Sequence, residues 1–74
     1  MLELQRMKAL DQNGGWTYFR DSKWKVSKWV IGSSWVTKWD NRDYYVIGIK
    51  GQRVGDFYGT THEAKKYVER MIRL

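Results

Sequence analysis

From residue 16 to residue 58 the chain alternates short runs of aromatic and β-branched residues with clusters of Gly, Asp, Asn and Ser. The runs cover 16–20, 24–31, 35–39, 44–49 and 54–58, and each is rich in the Trp, Tyr, Val and Ile that fit a pleated surface. Asp21-Ser22, Gly32-Ser33-Ser34, 40–43 and Lys50-Gly51-Gln52 separate them and read as turns. Connections this short join neighbouring antiparallel strands, so the pattern predicts a meander of three to five strands. Gly48, inside the fourth run, marks a bulge or a point of close approach.

At residue 60 the period changes to that of a helix. Thr60 and Glu63 have the spacing of a capping box, in which each side chain accepts from the other's backbone N–H. Ala64, Tyr67, Val68, Met71 and Ile72 then fall on one stripe, with Lys65, Lys66, Glu69, Arg70 and Arg73 around it. Glu69 and Arg73 are spaced for a favourable pair, and the late arginines suit the C-terminal end of the helix dipole. Such a stripe must be buried, and a sheet face is the only large apolar surface available. The expected fold is therefore α+β: a small antiparallel sheet over 16–58 packed on one C-terminal helix over 60–74. Residues 1–14 read as a short N-terminal helix or a tail, since Leu4, Met7 and Leu10 share a helical face and Asn13-Gly14-Gly15 ends the segment. The whole chain, 1–74, reads as a single domain.

Composition sharpens this picture. A chain of 74 residues without cysteine has no disulfide and no thiolate zinc site. Five Trp, five Tyr and two Phe must then supply much of the core. No apolar run approaches the roughly 20 residues that span a bilayer, and the first residues lack a signal-peptide pattern. The expectation is a cytoplasmic protein without a membrane partner, to which the lack of cysteine adds only compatibility with a reducing compartment.

Catalytic and metal chemistry find little material. His62 is the only histidine and stands in the first helical turn without a second His nearby. Asp40 and Asp43 shape a turn, Asp56 lies in the last strand, and Ser33-Ser34 has no nucleophile-elbow context. The glycines follow hairpin logic rather than a phosphate-loop pattern. The sequence therefore predicts no enzyme activity, no cofactor and no metal.

Charge is the more informative signal. Fourteen Lys and Arg against eight Asp and Glu give a net charge of +6. Lys23, Lys25, Lys28 and Lys38 interleave with Trp24, Trp29, Trp35 and Trp39. On a regular strand Trp24, Val26, Lys28 and Val30 share one side. Lys23, Lys25, Ser27, Trp29 and Ile31 share the other, which reads as the exposed face; a bulge near Ser27 would change this parity. Trp35, Thr37 and Trp39 share a face opposite Val36 and Lys38. A cationic, aromatic sheet face suits nucleic acid, either in a duplex groove or against the bases of a single strand. The candidate contacts are Arg20, Lys23, Lys25, Lys28, Lys38, Arg42, Lys50 and Arg53 for phosphates, with Trp29 as a stacking or wedge residue. The competing reading is that the lysines only keep an aromatic-rich protein soluble and its edges unpaired.

The segment around Gly55, Phe57, Thr60-Thr61, Glu63 and Ala64 resembles the strand-to-helix junction of many small phage and prophage proteins. It is also faintly similar to the junction in AP2-type and integrase arm-binding DNA domains, which present a three-stranded sheet to the major groove. The similarity covers the last third of the chain, and the arginine-rich first strand of the plant domains is missing, so their contact residues do not carry over. The resemblance implies a small phage-type protein that binds nucleic acid, DNA before RNA. The alternatives are a module that docks on a host protein and a homo-oligomeric structural component.

Overall fold

A computed structural model describes residues 5–6 and 15–73. Strands β2 (Thr17–Asp21), β3 (Val26–Ile31), β4 (Ser34–Trp39), β5 (Tyr45–Ile49) and β6 (Gln52–Phe57) pair consecutively and antiparallel. A two-residue strand, β1 (Gln5–Arg6), pairs with Arg20 and Phe19 at the β2 edge. One helix, α1 (Thr61–Ile72), follows the sheet. This is the α+β meander expected. The short N-terminal helix is not formed at Gln5 and Arg6, whose backbone pairs with β2 instead; its other residues lie outside those described. Among the described residues no helix is long and apolar enough to cross a membrane.

Local chemistry sets the turns. Lys50 and Gly51 have φ of 51° and 89° and form a two-residue link between Ile49 and Gln52. Positive φ at both central positions matches the twist of the flanking strands. The β3–β4 link is Gly32-Ser33, one residue shorter than expected. Ser34 instead opens β4, where its buried hydroxyl accepts the Lys50 N–H at 2.9 Å. Gly51 N–H donates to the Ser33 carbonyl at 2.8 Å, so the two hairpin tips are tied together.

The helix is held at its start by both capping-box bonds, Glu63 N–H to Thr60 Oγ1 at 3.1 Å and Thr60 N–H to Glu63 Oε1 at 2.8 Å. Its stripe buries Ala64 and Val68 against Trp16, Val36, Tyr45 and Ile47, with Tyr67 and Ile72 alongside. Trp16 is 2% exposed, and its indole N–H donates to Glu69 Oε2 at 2.7 Å. Lys65 Nζ stands 5.4 Å from the same ring. Tyr45 and Thr61 join hydroxyls at 2.8 Å. These contacts fix which sheet face the helix covers.

The register then assigns every strand residue to a face. Tyr18, Trp29, Val36 and Ile47 are successive partners across β2–β5 on the helix side. Trp29 therefore points toward the core, 5.2 Å from the Tyr18 ring and 6.3 Å from that of Tyr45. The two sets of β3 residues are those expected, but the set read as exposed, with Trp29, is the one on the helix side. The pairing from Val26 to Ile31 is unbroken, so no bulge occurs near Ser27. The strand also begins at Val26, later than expected, and leaves Lys23, Trp24 and Lys25 in the preceding turn.

Candidate nucleic-acid interface

The face turned away from α1 is built from two rows of partners. Thr17, Val30, Trp35, Gly48 and Arg53 form one; Phe19, Lys28, Thr37, Val46 and Asp56 form the next. Asp21, Val26 and Trp39 continue it toward the β2–β3 turn. Val26 and Thr37 are buried here, so this face has an apolar floor of its own. Trp35 lies on Gly48, where an added Cβ would stand 2.1 Å from Trp35 Cε2. On the same indole Lys28 places its ammonium 5.5 Å from the ring centroid, a cation–π contact.

At the end of this face nearest the β4–β5 loop, Trp39, Arg42, Tyr44, Val46 and Arg53 line a concavity of about 310 Å³. Val46 lies on the strand floor, Trp39 and Tyr44 supply rings, and two guanidiniums join them. Arg42 donates to the Tyr44 hydroxyl at 2.6 Å and stands 5.8 Å from its ring centre. Arg53 is oriented by Asp56 at 2.9 Å. The exposed Tyr58 ring extends the aromatic surface, 5.8 Å from Tyr44.

The turn before β3 adds three more groups. Asp21 Oδ1 accepts the Trp24 N–H at 3.0 Å and shapes the turn, while its buried Oδ2 has no partner among the described residues. Lys25, at φ 53°, completes the reversal. Trp24 is 56% exposed, with the Lys23 ammonium 5.7 Å from its ring.

The expected contact residues thus separate into four groups. Lys28, Arg42 and Arg53 share the face away from the helix; Lys23 and Lys25 stand in the turn at one end of the sheet. Arg20, Trp29 and Lys38 belong to the helix side by register. Arg20 is held by Asp40 through bonds of 2.8 and 2.7 Å and also reaches Ser27 at 3.0 Å. That hydrogen bond raises the Arg20 pKa and lowers that of Asp40, against the opposing effect of burial. Lys38 donates to the Trp39 carbonyl at 2.9 Å and lies over the Tyr45 ring. Lys50 sits at the opposite sheet end, in the β5–β6 turn.

The rings on the face away from the helix are Trp35, Trp39, Tyr44 and Tyr58, and Trp29 is not among them. The signal for Trp35 and Trp39 is in the sequence, which puts them with Thr37 on one face; Tyr44 and Tyr58 carry no such signal, and which face the helix takes is not written in the alternation. Comparison with protein-family models, curated proteins and solved structures finds no match for this chain.

Proposed function

We propose that this protein binds nucleic acid with the sheet face turned away from α1. The observation that carries the reading is the concentration there of Trp35, Trp39, Tyr44 and Tyr58 with the cations of Lys28, Arg42 and Arg53. Rings supply stacking surface tolerant of sequence, and cations follow the phosphate backbone. Lys23 and Lys25 extend the positive charge past the β3 end of the face. Arg20 and Lys38 drop out of the contact set because their register positions lie on the helix side of the sheet.

Charge on this face is moderate, because Asp56 offsets Arg53. Two or three phosphates neutralised predict a shallow salt dependence, a logarithmic slope of about −2 for a single strand. The test is an electrophoretic titration at low salt on single-stranded and duplex probes. The expected result is a shift that Lys28→Ala combined with Arg42→Ala weakens and whose salt slope that pair flattens. No shift on any probe overturns the reading. Captured host protein and self-association are the outcomes that would replace it.

A further inference from the structure

We infer that the occupant of this face is a single strand, with one unstacked base lodged in the concavity between β4, β5 and β6. The inference rests on the nucleic-acid reading above and goes beyond it by naming the form of the ligand.

Three observations carry it. The first is shape. Trp39, Tyr44, Val46, Arg42 and Arg53 surround a depression of about 310 Å³, at the small end of ligand pockets. Side chains that read a duplex groove must project into it, because base edges lie at the groove floor. Here the rings border a hollow, and a hollow admits a group that leaves the nucleic acid and enters the protein.

The second is the chemistry of the lining. A duplex hides the faces of its bases in the stack, so aromatic rings gain little from it. A single strand offers those faces to Trp, Tyr and Arg planes. The hollow combines two rings and two guanidiniums over one aliphatic residue, the composition that a planar base with a phosphate on one side calls for. Arg42 is already oriented by the Tyr44 hydroxyl, and Arg53 by Asp56, so little order remains to be imposed on binding. Since Asp56 offsets Arg53, Arg42 is the principal phosphate partner and Arg53 a planar surface with spare N–H donors.

The third is continuity. Tyr58 lies beside Tyr44 at one margin, Trp35 lies two strand positions from Val46's row on the same face, and Lys28, within that row, stands over the Trp35 ring. Trp35 and Trp39 are separated along β4 by about 13 Å at the usual rise per residue. Ring surface and charge therefore extend past the hollow, which favours a strand over a free nucleotide.

The experiment uses the full chain and fluorescence anisotropy at about 50 mM salt, with a labelled short oligothymidylate, a duplex of equal length, and thymidine monophosphate as competitor. The oligothymidylate is expected to bind at least about tenfold tighter than the duplex, and the mononucleotide to compete only weakly. Arg42→Ala and Tyr44→Leu should each weaken oligothymidylate binding about five- to tenfold, and Lys66→Ala on α1 should leave it unchanged. Both altered residues lie outside the core, and circular dichroism checks that each variant folds. Duplex binding as tight as the single strand, or binding indifferent to Arg42 and Tyr44, overturns this inference while leaving nucleic-acid binding standing. Mononucleotide binding as tight as the oligomer overturns it in favour of a free nucleotide. Binding to none of the probes overturns both readings.

Discussion

Trp35 and Gly48 are partners across β4 and β5, and the indole occupies the space a side chain at 48 would fill. The glycine thus sets the height at which Trp35 lies on the sheet, and Lys28 stands over the same ring. Gly48→Ala would drive a methyl group into the ring. The variant should lose about 2 kcal/mol of stability, the range for overpacking, read as a lower urea midpoint at unchanged slope.

The Trp16–Glu69 bond ties the segment before β2 to the third turn of the helix. Glu69→Leu leaves the buried indole N–H without its acceptor and should cost about 2 kcal/mol. Glu69→Gln keeps an acceptor oxygen and should cost less than half as much. Thermal unfolding of the two variants checks the order; equal losses would assign the effect to helix propensity or charge instead.

The capping box has a similarly defined worth. Thr60→Ala removes the acceptor for Glu63 N–H and should cost about 1 kcal/mol, whereas Thr60→Ser should be close to neutral. Hydrogen exchange at the first α1 amides would report the loss locally.

The Arg20–Asp40 pair predicts a pH effect with a definite sign. The hydrogen bond from Arg20 holds the Asp40 carboxyl below its ordinary value of 3.8. A depressed carboxylate contributes stability that is present above the unfolded pKa and lost as pH falls through the folded one. Asp40→Asn should therefore lower the melting temperature slightly at neutral pH, and the difference from the parent should shrink once pH drops below about 4. Salt should diminish it as well, because the pair is exposed.

Much of the fold was legible because local signals agreed. The capping box, the stripe from Ala64 to Ile72 and the Gly- and Asp-bearing turns all specify one order of elements. The site was less legible, and β3 explains why. Val26 and Val30 read as an inward set and Trp29 as an outward one among lysines. Both faces of this sheet carry apolar residues, so alternation alone does not name the covered side. Trp29 goes to the helix side because its register partners are Tyr18 and Val36, in the row that includes the buried Ile47. That is a tertiary fact. Lys38 behaves likewise: its charged group returns to a main-chain carbonyl on the helix side, where the sequence suggested a phosphate contact. Arg42 and Arg53 were legible as candidates, but only pairing across β5 and β6 brings them to one hollow.

The five tryptophans divide by position: Trp16 and Trp29 on the helix side, Trp35 and Trp39 on the opposite face, and Trp24 in the turn. Indole N–H resonances followed by NMR during titration with a short oligothymidylate therefore test directly which side binds. The signals of Trp35 and Trp39 should move while those of Trp16 and Trp29 hold still. Movement confined to Trp16 and Trp29, or no movement of any indole at saturating oligonucleotide, would contradict the assignment of binding to this face.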